Sequence, residues 1–111
     1  MSRLLKDLDK LISVTQMLSD CLARRDRRVD EQINTLMHCK FMYLNAMSLL
    51  SDQDKETIQA LVKRTISQID QLLRGVGHID TAVNMLSLTI TTFQRLLQYQ
   101  DAFAQSPGHL I

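Results

Sequence analysis

The sequence predicts an all-α protein of long amphipathic helices, and three observations predict it. Apolar residues recur at alternating steps of four and three. That spacing lines one stripe of a helix. The first half gives Leu4, Leu8, Leu11, Thr15, Leu18, Leu22, Arg25, Val29, Gln32, Leu36, Cys39, Tyr43, Ala46 and Leu50. The second half gives Ile58, Val62, Thr65, Ile69, Leu72, Val76, Ile79, Val83, Leu86, Ile90, Phe93, Leu97 and Gln100. The apolar diet is the second observation: 45% hydrophobic but only 5% aromatic, with no Trp. Aliphatic side chains and methionines must fill the core, which suits helix-on-helix packing. Finally, three Gly and one Pro in 111 residues supply little material for hairpin turns of strands.

Each element follows in order. Ser2 is placed to cap a first helix, because its hydroxyl can accept from an orphan N–H of the first turn. Arg24-Arg25-Asp26-Arg27-Arg28 contains no breaker, so the first helix is expected to continue across it to Leu50, with Arg25 on the seam. Ser51-Asp52 marks the clear break, and Asp54 and Glu56 suit the positive end of the helix that follows. Arg74-Gly75-Val76-Gly77-His78 is a second weak point: either Gly75 ends a helix as a left-handed cap, or the helix kinks there. Asp80 is the expected cap of the last helix. Despite its β-branched run, Thr89-Ile90-Thr91-Thr92-Phe93 keeps the helical phase.

The expected organisation is one all-helical domain over residues 1–105, with helices at about 2–50, 53–74 and 79–104. Residues 106–111, which include Ser106-Pro107-Gly108, read as a flexible tail. Two architectures fit. The favoured one is a long antiparallel helical hairpin, a coiled coil completed by dimerisation or by a partner chain, because the heptad phase passes unbroken through both weak points. The alternative is a compact up-down four-helix bundle. Leu5, Ile12, Met17, Leu61, Ile66, Leu73, Met85, Leu88 and Leu96 lie beside the narrow seam, so two helices alone would leave them wet.

Charge and composition exclude several functions. A net charge of +1 lacks the basic excess of a strong nucleic-acid binder. No apolar run approaches the roughly 18 residues of a membrane span, and the first residues mix charge into their pattern, unlike a secretory leader. Two cysteines are too few for a disulfide scaffold, which points to reduced thiols and a cytoplasmic location. They stand 18 residues apart, so one unbroken helix would forbid a bridge between them.

Chemical motifs are sparse. Cys21, His38, Cys39, His78 and His109 are ligand types without Cys-x-x-Cys or His-x-x-x-His spacing, so no metal is expected. Gly75-Val76-Gly77-His78 lacks the third glycine and the following Lys-Ser/Thr of a phosphate loop. No cofactor, no catalytic residue and no small-molecule substrate is expected.

The expected function is a non-enzymatic helical interaction module: a small chaperone, adaptor or assembly subunit. It would bind a protein partner or a second copy through apolar helix faces, with no membrane involvement. Leu36, Met37, Phe41, Leu44, Met47, Ile58, Leu61 and Val62 are the expected contacts. The alternative is a regulatory protein that binds nucleic acid or an acidic partner through Arg24, Arg25, Arg27 and Arg28. Asp26, Asp30 and Glu31 beside them disfavour nucleic acid. Gly75 and Gly77 are the expected hinge.

Overall fold

The structure, a computed structural model, describes residues 3–22 and 26–109, with side-chain surroundings through Leu97. Its helices are α1 (Arg3–Cys21), α2 (Arg27–Ala46), α3 (Asp52–Leu73) and α4 (Ile79–His109). A single 3-10 turn, Met47–Leu49, follows α2. The fold is a compact all-α four-helix bundle, the second of the two expected architectures.

The long first helix does not form. The chain turns between Leu22 and Arg27, and Asp26 supplies the physical reason. Its backbone is extended (φ −99°, ψ 112°) and its side chain accepts the Arg28 N–H, which caps α2. The N–H groups of Val29 and Asp30 both donate to its carbonyl. The unbroken heptad phase misleads here, because Leu22 and Val29 stay seven residues apart whether the chain turns or not.

The second break falls where expected. Ser51 accepts the Asp54 N–H at 3.1 Å, and Asp52 and Asp54 occupy the first turn of α3. At the far end α3 closes in a Schellman turn: the Gly75 N–H donates to the Leu72 carbonyl and the Val76 N–H to that of Gln71. Gly75 has φ +83° and Gly77 φ +93°, so the expected hinge is a fixed turn between two helices. Asp80 is not the cap of α4. It lies in the first turn, and the His78 carbonyl accepts from Thr81 and Ala82 instead. α4 runs on to His109, so residues 106–109 of the expected tail are helical. Pro107 removes one intrahelical N–H, which does not end the turn around it.

The pairing of helices is less usual than their order. α1 packs on α2 and α3, and α4 packs on α2 and α3. Asp7 on α1 meets Gln59 on α3, and Arg28 on α2 meets Asp80 on α4, both at a separation of 52 residues. The molecule is thus two antiparallel hairpins, α1–α2 and α3–α4, laid side by side in the same direction. α1 runs parallel to α3 and α2 parallel to α4. The Met47–Ser51 link therefore crosses the bundle diagonal, with Leu50 buried beneath it.

Most of the seam becomes core, but Val76, in the turn after α3, is 58% exposed, and the off-seam residues Val14 and Ala82 are buried. Leu8, Leu11, Val29, Leu36, Cys39, Ile58, Val62, Ile69 and Leu86 are fully buried. Tyr43 and Phe93 meet edge to face across α2 and α4 at 5.8 Å. The off-seam residues divide. Ile12 and Ile66 are buried, Leu5, Leu73 and Leu96 are half-buried against the core, and Met17 and Leu88 are exposed. Four helices need wider apolar faces than two, which explains most of that surplus.

Candidate functional site

Sequence spacing nominated eight contact residues, and the structure separates them. Leu36, Ile58 and Val62 are fully buried and belong to the core, so they offer nothing to a partner. They are seam residues, and in a four-helix bundle the seam is consumed by folding. Met47 is half-buried against that core, and Leu61 is half-buried on α3. Met37, Phe41 and Leu44 remain on the outside of α2, 44%, 66% and 43% exposed.

These three step by four and three on a face rotated away from the seam, with Phe41 between Met37 and Leu44. Met37 follows Leu36, and Leu44 follows Tyr43. One residue rotates a helix by about 100°, which moves a side chain from the core to the flank. Leu49, in the 3-10 turn that follows α2, is also exposed, at 52%. Spacing alone missed it, because Leu49 sits one residue ahead of seam residue Leu50.

The flank that carries the patch borders α1. Lys40 pairs with Asp9 at 2.6 Å, and Ser19 donates to Asp30 at 2.6 Å. The register of those contacts sets Met37 level with Ile12, and Leu44 level with half-buried Leu5. An apolar strip about two turns long thus runs beside a charged clasp between two helices. Phe41 is the most exposed residue of the strip, at 66%, and Met37 is its one flexible thioether.

The arginine cluster has different surroundings. Arg28 binds Asp26 at 2.9 Å and reaches Asp80 on α4 at 3.1 Å. The hydrogen bond from Arg28 holds the Asp26 carboxyl below its usual range, and the same carboxylates raise the Arg28 guanidinium further. Arg27 pairs with Glu31 one turn on. Arg24 and Arg25 lie outside the described residues. The cluster thus contributes to helix capping and to the α2–α4 contact, two roles its charge did not announce.

The chain does fold back between Cys21 and Cys39, yet both are free thiols. Cys21 sits exposed at the end of α1, and Cys39 is buried on α2, where burial pushes its thiol up to about 11. Open grooves lie between the helices of the described residues. One, about 360 Å³, lies between α1 and α2 beside Ser19, Asp20 and Asp30. Another, about 420 Å³, lies between α1 and α3 beside Lys10, Lys63, Asp70 and Arg74. Among the described residues no three His, Cys, Asp or Glu side chains converge as metal ligands, and no helix is long and apolar enough to cross a membrane. No protein-family model, curated protein or solved structure matches the chain.

Proposed function

We propose that this chain is a non-enzymatic interaction module, an adaptor, chaperone or assembly subunit of the cytoplasm. It docks an amphipathic helix, from a partner protein or a second copy, on the outer face of α2. One observation carries the reading: Phe41, a large aromatic residue, is 66% exposed between half-exposed Met37 and Leu44 on the same face. A single exposed apolar residue needs no explanation, but three at helical spacing form a ready seat for a helix. Their i, i+4, i+7 spacing gives α2 an apolar stripe against which the stripe of an amphipathic helix can pack.

The test uses the double variant Met37→Asp, Phe41→Asp. In-cell cross-linking should give a discrete adduct with the natural chain, lost in the double variant and retained in Arg27→Ala, Arg28→Ala. Loss in the arginine variant alone would favour the electrostatic reading, in which an acidic partner binds the cluster. That second reading has weaker support, because Asp26, Asp80 and Glu31 already occupy Arg27 and Arg28.

A further inference from the structure

The geometry points to a second mode of association, independent of the α2 face: exchange of whole hairpins between two copies of this chain. The α1–α2 and α3–α4 hairpins are joined only through Met47–Ser51. Contacts between the hairpins supply much of what holds the bundle: Asp7 to Gln59, Gln32 to Ser87, Arg28 to Asp80, and Tyr43 against Phe93. Every one of them can be remade with the second hairpin of another copy, since the hairpins meet side by side and thread nothing.

Met47–Leu49 are a 3-10 turn, and two extended residues, Leu50 and Ser51, separate that turn from α3. Leu50 has φ −81° and ψ 135°, and Ser51 has φ −68° and ψ 159°. An α-helix has φ near −63° and ψ near −42°. Both φ values are thus near helical, and the main change needed is rotation about ψ at two residues. Ala46, at φ −126° and ψ 10°, is a lesser departure. Met47-Ser48-Leu49-Leu50-Ser51 contains neither Gly nor Pro. The Gly75–Gly77 turn contrasts with it, because positive φ at both glycines and the Schellman bonds fix its reversal.

Straightening the link fuses α2 and α3 into one helix and sends the second hairpin away from the first. Two such chains rebuild two bundles end to end, each with a first hairpin from one copy and a second from the other. The closed monomer keeps two advantages, the Ser51 cap on Asp54 and the burial of Leu50. In the exchanged dimer the last carbonyls of α2 accept from N–H groups of the link, and carbonyls of the link accept from the first N–H groups of α3. Short hinges of this kind are where domain swapping begins.

Substitutions at Ser51 separate this device from a simple cap. Proline fits the closed link, because φ is −68° and Leu50 before it is extended. It opposes the continuous helix. Ser51→Pro should therefore lower the dimer-to-monomer ratio after refolding at high concentration by roughly a hundredfold, given proline's penalty inside a helix. Ser51→Ala removes the same cap but favours helix, so it should raise the ratio. Ratios that move together in the two variants, or do not move, overturn the proposal.

A third measurement identifies the exchange itself. Asp7→Cys, Gln59→Cys in a Cys21→Ser background places one thiol on each hairpin. The dimer fraction, treated at low concentration with a short bifunctional thiol reagent, should run as a covalent dimer under denaturing conditions. Links confined within single chains, or no dimer at all, overturn the exchange. A dimer linked within chains would still be compatible with docking through Phe41, so the two proposals fail separately.

Discussion

Leu36 and Met37 are neighbours in sequence and opposites in the fold. Leu36 is 0% exposed and Met37 44%; Tyr43 and Leu44 repeat the contrast at 0% and 43%. α2 thus carries two apolar faces, the second rotated away from the seam. The inner face, Leu36, Cys39 and Tyr43, is spent on folding. The outer face, Met37, Phe41 and Leu44, is left over after folding is complete. Apolar character by itself does not tell them apart, and the phase relative to the seam does.

The comparison breaks most sharply at Tyr43. Tyr43→Ala should destabilise the bundle by about 3–5 kcal/mol, because it removes a fully buried ring and its edge-to-face partner Phe93. Leu36→Ala should lose about 2–5 kcal/mol. Denaturant unfolding followed by far-UV circular dichroism measures both. A cost below 1 kcal/mol at either residue would mean the inner face is not the core.

Cys39 sharpens the contrast through pH. Its folded-state thiol lies above the ordinary value of 9.0, at about 11, so burial favours the neutral form. Its contribution to stability is fully present below pH 9 and is lost as pH rises through 11. Native protein should show one fast thiol, Cys21, toward a colorimetric disulfide reagent, and Cys39 should react only on unfolding. Equal rates for the two would contradict the burial of the inner face.

The threonine pair in the core tests the inner face more gently. Thr65 donates to the Leu61 carbonyl at 2.7 Å, Thr89 to that of Met85 at 2.9 Å, and the two hydroxyls lie 2.9 Å apart. Two hydroxyl protons cannot serve three contacts at once, so one bond always yields. Thr65→Val should therefore cost no more than about 1 kcal/mol. In a calorimetric scan, a loss well beyond that would show the pair to be a cooperative network.

Phe41→Ala should have the smallest effect on stability, within about 0.5 kcal/mol as for other surface changes. Its effect on binding should be the opposite. Loss of an aromatic anchor weakens an interface by about 1–2 kcal/mol or more, some tenfold in affinity. Large destabilisation of the free protein would make Phe41 a folding residue instead.

Much of this was legible in the residues. Within the helices the seam named most of the core, because burial and period are the same physical fact in a helix; it failed at Val76, which lies in a turn, and it left out Val14 and Ala82. The turn at Asp26 was not legible, since the cap stands among arginines that favour helix and no glycine marks it. Nor was the parallel pairing of hairpins, because four amphipathic helices of similar pattern do not encode which neighbour each will choose. The eight nominated contact residues divide between core and surface for the same reason. Leu36, Ile58 and Val62 share the apolar character of Phe41, and only the completed bundle shows that they are already occupied.

A photo-cross-linking amino acid at position 41, compared with the same group at position 64 on the polar outer face of α3, tests the central claim most directly. The account predicts a discrete adduct from position 41, absent from position 64 and abolished by Met37→Asp, Leu44→Asp. Indistinguishable products from the two positions would contradict a docking face on α2.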